Sequence, residues 1–308
     1  MKPSLISTRA FGTGVAILLS QALPPALGHP VARLIARVVG RFPRGAAYSA
    51  LRLNQWIVSG KQLTGEALEE AVRQVFRNQA VALYDFYRSL NRPHLVEKKV
   101  RFTPAFSRLV EECKRGGQPT ILLTTHLSGF NLGGLRLAQE GLKFLTLSIP
   151  NPSRGYAWQN ELRNQRGMQV LPFTVEALRL ARERLNAGGT VLTGIDRPME
   201  NNTYTPRFFG YPSALPVAYI RLALKSAARV FVVGFTTRAD HTHEIDVSEQ
   251  VPMQPGGEDE LVRNAENVLR RAEDFIRRDP RQWMMFFPVW PGELLGLENK
   301  LAGGINCA

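Results

Sequence analysis

Residues 119–134 read P-T-I-L-L-T-T-H-L-S-G-F-N-L-G-G, and this stretch decides the fold that the sequence predicts. Its first half is an uncharged apolar run, typical of a buried strand, and His126 follows where that strand ends. We predict a helix over 130–139, so the stretch has the form strand, polar loop, helix. The polar loop after a strand is where α/β sheets usually place their chemistry, although His126 could equally cap the following helix.

The same alternation of strands and helices continues toward the C-terminus. The predicted strands are 119–124, 143–148, 168–172, 190–194 and 229–236, and the predicted helices are 130–139, 154–165, 175–187, 215–226 and 259–277. Residues 229–247 have the pattern of two strands around a polar turn. The sequence therefore predicts an α/β fold, a mixed sheet flanked by helices.

A helical preface precedes this sheet. Residues 66–90 carry apolar or aromatic side chains at helical spacing, which predicts one long amphipathic helix. The Asn91-Arg-Pro-His94 run ends it, because proline cannot continue a helix. A further helix is predicted over 104–114, before Gly116-Gly117.

The N-terminal segment is apolar but interrupted. Residues 10–27 contain Gly12 and Gly14, and their longest apolar block is too short to span a bilayer. One interpretation is a signal peptide, since Lys2 and Arg9 precede a short apolar region.

A second interpretation comes from residues 30–44, P-V-A-R-L-I-A-R-V-V-G-R-F-P-R. Arg33, Arg37 and Arg41 would line one face of a helix, with apolar side chains over the rest. This pattern is typical of a helix that lies on a membrane surface. A surface helix of the fold itself is the third interpretation. We accordingly divide the chain into a membrane-interface segment, 1–44, a catalytic domain, 45–295, and a tail, 296–308.

Composition narrows the function classes. The 308 residues include 39 Lys and Arg against 26 Asp and Glu, a formal charge of +13 that suits an anionic membrane, a nucleic acid or an acidic cofactor. Nucleic acid is disfavoured, because the basic residues are scattered through predicted helices and not interleaved with aromatics. Cys113 and Cys307 alone predict neither a disulfide framework nor a structural zinc site.

Two familiar signatures are absent or incomplete. The sequence has no G-x-S-x-G elbow, and Gly12-Thr-Gly14 lacks the third glycine of a dinucleotide fingerprint. His241-Thr-His243 could bind a metal from one face of a strand, but a solvated hairpin turn is the favoured interpretation.

Three further groups accompany His126. The run G-G-T-V-L-T-G-I-D-R predicts a strand that ends at Asp196 and Arg197. Arg163 and Arg166, three apart, could meet a phosphate or carboxylate. The aromatic pair before a glycine is a candidate wall of an acyl groove, formed by Phe208, Phe209 and Gly210.

These motifs, in this order, resemble the lipid A biosynthesis (lauroyl/myristoyl) acyltransferases of the lysophospholipid acyltransferase superfamily. The resemblance covers roughly residues 45–290 and includes F-F-G-Y-P-S-A and, near the end, Arg281-Gln-Trp-Met. It implies a peripheral or monotopic enzyme on the cytoplasmic face of the inner membrane. Such an enzyme moves a fatty acyl chain from acyl-CoA or acyl carrier protein to a hydroxyl of a phospholipid, glycolipid or lipid A-type acceptor, without a metal or redox cofactor.

The resemblance also implies residue roles. The family histidine, general base of an H-x4-D or H-x4-E motif, matches His126, and the family carboxylate matches Asn131, which is a departure. We expect Asn131 to orient the ring, with Asp196 or Glu200 supplying the missing charge. Arg163, or Arg166 or Arg197 in its place, is expected to hold a phosphate or the oxyanion. The alternative is a lipid-binding homologue whose catalysis is impaired by the amide at position 131.

Overall fold

The computed structural model describes residues 6–40, 45–199, 202–294 and 296–298. Its helices are α1 (Ile6–Ala22), α2 (Pro25–Val39), α3 (Ala46–Val58), α4 (Gly65–Ser89), α5 (Pro93–Lys99), α6 (Pro104–Arg115), α7 (Phe130–Gln139), α8 (Arg154–Asn164), α9 (Val175–Asn186), α10 (Ala218–Ser226) and α11 (Glu260–Arg278). Its strands are β1 (Val100–Phe102), β2 (Thr120–Thr124), β3 (Phe144–Ser148), β4 (Gln169–Pro172), β5 (Thr190–Gly194), β6 (Arg207–Phe208), β7 (Tyr211–Pro212), β8 (Arg229–Thr237) and β9 (His243–Val247).

Seven strands of the described chain form one mixed sheet in the order β1-β9-β8-β2-β5-β3-β4. Strand β2 runs parallel to both of its neighbours, and β8 and β9 pair antiparallel. All five residues of β2 are buried, as its uncharged sequence predicts. The predicted fold class, an α/β mixed sheet flanked by helices with a helical preface, is confirmed.

The register of the central strands places the two polar residues that follow them side by side. Thr124, the last residue of β2, pairs with Gly194, the last residue of β5. Because the strands are parallel, both end at the same edge of the sheet. His126 and Asp196 each lie two residues beyond these ends and therefore meet.

The predicted elements agree with the structure within a few residues, with one later start. Helix α10 begins at Ala218, not at residue 215, because Pro216 lies in the loop before it. The short elements β1, β6 and β7 were not predicted, because two or three residues carry too little periodicity to detect.

The first two helices, α1 and α2, pack on the long helix α4 and are here called the preface helices. Helix α2 packs closely through small residues, since Ala32 and Ala36 are buried and any Cβ at Gly28 would overlap the Tyr84 ring; His29 also points inward, to Asp85. The helix starts at Pro25, earlier than the predicted residue 30, and Arg41 lies outside the described residues. Among the helices that the structure describes, each is too short or too polar to cross a bilayer.

Candidate active site

His126 and Asp196 form a hydrogen-bonded pair at the carboxyl edge of the sheet. Nδ1 of His126 lies 2.6 Å from Oδ1 of Asp196, and the His126 backbone N–H donates to Oδ2 at 2.8 Å. Because an ionised carboxylate only accepts, Nδ1 carries the proton and Nε2 keeps its lone pair. Within the described chain, Nε2 has no hydrogen-bond partner. The imidazole is therefore held by one nitrogen and available through the other.

The local sequence makes room for this ring. A Cβ on Gly194 would lie 3.1 Å from Cε1 of His126, tighter than ordinary packing, so the glycine lets the imidazole lie over the end of β5. A Cβ on Gly133 would overlap Phe235, so this glycine brings α7 close to the sheet. The two glycines thus fix the distance between His126, the sheet and the helix that follows.

Asp196 is fully buried, yet both of its oxygens are hydrogen-bonded. The indole N–H of Trp283 donates to Oδ2 at 2.7 Å. Burial alone would raise the pKa of Asp196, but His126 and the Trp283 hydrogen bond together hold that pKa below its ordinary value. The carboxylate is therefore charged, and it can stabilise a positive charge on the imidazole.

A cavity of about 420 Å³ lies beside this pair, and the His126 ring forms part of its wall. This volume is in the range of small-molecule sites. Its apolar wall includes Leu137, Leu147, Met168, Val170, Phe173 and Leu192. The polar side chains on it include Asn131, Arg163 and Arg197. An apolar space with a few convergent polar groups fits a ligand that is mostly hydrocarbon.

The expectation that Asn131 orients the His126 ring is wrong. Its Oδ1 accepts a hydrogen bond from Nη2 of Arg163 at 2.7 Å, and the ring is bound by Asp196 instead. The reason is geometric: Asn131 lies in the first turn of α7, toward α8, whereas Nδ1 points to the end of β5. Asp196, expected as a source of charge, is the residue that contacts the ring.

The three arginines have different surroundings. Arg163 is buried in the cavity wall and donates to Asn131 and Asn160. Arg197 lies half-buried in the same wall with its guanidinium 3.7 Å from the centre of the Phe287 ring. Burial lowers the pKa of Arg197, and the nearby Tyr156 and Asp196 offset this only in part.

Arg166, the expected alternative to Arg163, does not line the cavity. Its guanidinium donates to the carbonyl oxygens of Leu90 and Gln165 and to Asn91, so it joins α8 to the end of α4. The structure therefore gives no support to substrate binding by Arg166, which stays a prediction. Glu200 lies outside the described residues.

The prediction that Phe208, Phe209 and Gly210 form an acyl-groove wall is also wrong. Phe208 is fully buried in an aromatic cluster, stacked on Trp290 with ring centres 5.6 Å apart. Phe209 (φ 49°) and Gly210 (φ 82°) turn the chain between β6 and β7. These three residues are absent from the cavity wall, and the two phenylalanines instead pack against Trp283 and Trp290.

The second histidine group is structural in character. His243 is buried in β9, with Nδ1 2.9 Å from Oγ1 of Thr237, so the predicted solvated turn is wrong at this residue. His241 lies in the turn, with its ring centre 4.4 Å from that of His29. In the part of the chain that the structure describes, no cluster of three or more His, Cys, Asp or Glu residues could hold a metal ion.

Trp283 is the site residue whose role the sequence did not reveal. Trp283 belongs to the motif Arg281-Gln-Trp-Met, but nothing in this motif indicates a contact with Asp196, 87 residues earlier in the chain. A buried tryptophan usually finds a hydrogen-bond partner for its N–H, and this tendency is the signal that the sequence offers.

The comparisons with known proteins identify a family. Residues 2–291 match the sequence model of a family described as bacterial lipid A biosynthesis acyltransferase. Among curated proteins, no match was found. The family match spans nearly the whole chain. The protein therefore belongs to the bacterial lipid A biosynthesis acyltransferases and is an enzyme that transfers acyl groups to lipid acceptors.

Proposed function

We propose that the protein transfers a fatty acyl chain from acyl-CoA or acyl carrier protein to a hydroxyl group of a membrane lipid, with His126 as general base. The observation that carries this proposal is the pair of His126 and Asp196 at the wall of an apolar cavity, with Nε2 unoccupied. The acceptor is a phospholipid, a glycolipid or a lipid A-type molecule.

The proposed reaction has two steps. Nε2 of His126 accepts the proton of the acceptor hydroxyl as its oxygen attacks the thioester carbonyl carbon, which forms a tetrahedral oxyanion. The oxyanion then collapses, the carbon–sulfur bond breaks, and the thiolate leaves with the proton from the imidazolium. Asp196 holds Nδ1–H throughout and stabilises the positive charge between the steps.

Arg197 is the favoured group for binding negative charge in this reaction. It is a cavity-lining guanidinium with the Phe287 ring 3.7 Å behind it. It can bind a phosphate of donor or acceptor, or the oxyanion. Arg163 is already bonded to two asparagine side chains, so its role is to shape the wall and raise the local positive potential.

The donor is proposed from charge. Both acyl-CoA and acyl carrier protein are anionic, and the chain carries a formal charge of +13, which favours their encounter. No cofactor has a part in the proposed steps, because the thioester itself supplies the activated acyl group.

The preface helices support a peripheral or monotopic position at the cytoplasmic face of the inner membrane. Exposed large apolar side chains of the described residues are concentrated there, three on α1 and five on α2. Leu34 and Val38 are 56% and 52% exposed, while the small residues of α2 face α4. Arg33 and Arg37 on the same helix suit anionic lipid headgroups.

The preface also lies near the cavity. Helix α1 packs against α8, and α8 contributes Tyr156 and Arg163 to the cavity wall. Trp158 of α8 is 39% exposed and lies beside Gly14 of α1. A lipid that leaves the membrane at α1 and α8 would therefore have a short path to His126.

The activity is tested with purified protein, acyl-CoA or acyl carrier protein donors, and candidate lipid acceptors, with products identified by mass spectrometry. We expect acyl transfer to at least one lipid hydroxyl, and a rate that falls as ionic strength rises. Hydrolysis of the thioester with no lipid product from any acceptor would contradict the proposal.

The membrane position is tested by flotation with vesicles that contain anionic lipid. The double variant Leu34→Asp, Val38→Asp should lose most of its binding, because two charges replace apolar side chains that enter the bilayer interface. Val175→Asp is the matched control, since Val175 is 86% exposed on α9, outside the preface. Equal binding of both variants would show that the preface is not the membrane-contacting surface.

A further inference from the structure

The segment of residues 279–290, here called the C-terminal strap, contacts both members of the His126–Asp196 pair. The Trp283 indole N–H donates to Oδ2 of Asp196 at 2.7 Å. The Met284 backbone N–H donates to the carbonyl oxygen of His126 at 2.8 Å. Leu127 and Trp283 also form an isolated antiparallel bridge. The strap thus holds the loop that carries the histidine and the side chain that orients it.

The indole is held firmly in this position. Trp283 is fully buried and packs edge-on against Phe208, with ring centres 6.0 Å apart. The adjacent Gln282 donates to the Thr237 carbonyl at 2.9 Å and accepts from the Thr237 N–H at 2.8 Å. It also accepts from the Ser128 hydroxyl at 3.2 Å. Rotation of Trp283 away from Asp196 would therefore disrupt several buried contacts.

Trp283 has a distinct place among the groups that bind Asp196. In the described chain, the carboxylate receives two hydrogen bonds from His126 and one from Trp283. Trp283 is therefore the one donor that fixes the plane of the carboxylate independently of the histidine. It is also absent from the cavity wall, so it has no direct contact with a bound substrate.

We propose that Trp283 is a positioning residue of the acyl-transfer site, whose indole N–H fixes the Asp196 carboxylate so that it holds His126 in its reactive orientation. This inference rests on the proposed function. The hydrogen bond also draws negative charge from the carboxylate. Without it, the carboxylate can rotate about its Cβ–Cγ bond, and the imidazole loses its fixed orientation.

The test is Trp283→Phe, which keeps an aromatic ring and removes the N–H. We expect kcat to fall roughly tenfold, as for loss of one hydrogen bond to a charged group, with KM unchanged because the cavity wall is intact. A loss of kcat at unchanged KM is the result that a structural change in the cavity would not give.

The matched control is Trp290→Phe, which removes another buried indole N–H, bonded to the Phe208 carbonyl at 3.1 Å. This variant should keep the wild-type kcat and KM. Equal kcat for the two variants would overturn the proposal. So would a Trp283→Phe variant that changes KM alone.

A second measurement keeps the proposal testable if Trp283→Phe does not fold. The protein has four tryptophans, whose indole N–H resonances can be followed by NMR. In Asp196→Asn the Trp283 resonance should shift, while that of Trp290 stays in place. An unshifted Trp283 resonance would overturn the contact. Absence of acyl transfer by the wild-type protein would instead refute the proposed function and leave this contact open to the NMR test.

Discussion

Two buried aspartates each bind a histidine, and the difference between their surroundings separates a candidate catalytic pair from a structural one. Asp196 binds Nδ1 of His126 at 2.6 Å, and Asp85 binds Nε2 of His29 at 2.9 Å. Both carboxylates are at most 1% exposed. In the described chain, the His126 ring lines the cavity and the His29 ring does not. An aspartate–histidine contact is thus insufficient; the other nitrogen must face space for a substrate.

The charged and hydrogen-bonding partners of the two aspartates differ as well. Asp85 also forms an ion pair with Lys99, and its Oδ2 has no hydrogen-bond partner, whereas both oxygens of Asp196 are hydrogen-bonded. Burial would raise the pKa of Asp85, but His29 and Lys99 hold it below its ordinary value. His29 belongs to α2 and Asp85 to α4, so this pair attaches the preface to the body of the protein. The charge of Asp85 is therefore balanced by Lys99, and its hydrogen bond to His29 holds α2 against α4.

The largest expected effect comes from replacing the two histidines in parallel. His126→Ala should lower turnover per folded molecule by roughly 10²- to 10⁴-fold, because the general base is lost. His29→Ala should leave turnover per folded molecule unchanged in a detergent assay and lower stability by about 1–3 kcal/mol. Acyl transfer and thermal melting are measured on the same samples. A His126→Ala enzyme at wild-type rate would mean that His126 only caps the following helix.

The second prediction concerns how acid lowers the stability of the fold through His243, the buried histidine of β9. Burial lowers the pKa of His243 from 6.5 to about 4. Between these values the unfolded chain binds a proton that the folded chain does not, so this contribution is complete above pH 6.5 and is lost as pH falls toward 4. Full loss of this contribution lowers the free energy of unfolding by about 3 kcal/mol.

Urea unfolding between pH 7 and pH 4 measures this effect. We expect His243→Gln to show a flatter loss of stability with acid than the wild-type protein. His94→Gln is the control, because His94 is exposed, and it should keep the wild-type slope. If His243→Gln has that slope too, the burial of His243 does not control acid unfolding.

The third prediction compares the two aspartates. Asp196→Asn should lower turnover by roughly 10²- to 10⁴-fold, because the imidazole remains but loses its orientation, its tautomer and its charge support. Asp85→Asn should lower stability and leave turnover per folded molecule intact. A loss of turnover in Asp85→Asn equal to that in Asp196→Asn would mean that both pairs serve the reaction.

Much of this arrangement was predictable from local sequence. The runs at 119–124 and 190–194 are short, uncharged and bounded by glycines or turns, and the structure has Thr120–Thr124 and Thr190–Gly194 as strands. The candidates His126 and Asp196 followed from them. Their adjacency did not, because β3 and β4 lie between these strands in sequence, and only the sheet order brings β5 next to β2.

The wrong site predictions share one cause, which is that side-chain direction depends on distant contacts. Asn131 follows His126 closely in sequence, yet Arg163 of α8 binds it. An aromatic pair before a glycine has the same pattern in a cavity wall and in an aromatic cluster, so Phe208 and Phe209 were misassigned. Trp283 reaches Asp196 across 87 residues, a separation at which local periodicity gives no signal.

The smallest expected effect, and the sharpest test of which carboxylate serves His126, is Asn131→Asp. If the amide at position 131 impaired catalysis, restoring the family carboxylate would raise turnover strongly. The structure argues otherwise, because Asp196 already binds Nδ1 and position 131 faces Arg163. A carboxylate there would pair with the guanidinium 2.7 Å away and leave the ring unchanged. We therefore expect turnover within about threefold of wild type, since the variant replaces one buried hydrogen bond with one buried ion pair. In Asp196→Asn, the added Asn131→Asp should likewise fail to restore activity, because Arg163 holds the new charge away from Nδ1. Rescue in that double variant would show that position 131 can reach the ring, and that the pairing of His126 with Asp196 is not the one that matters for turnover.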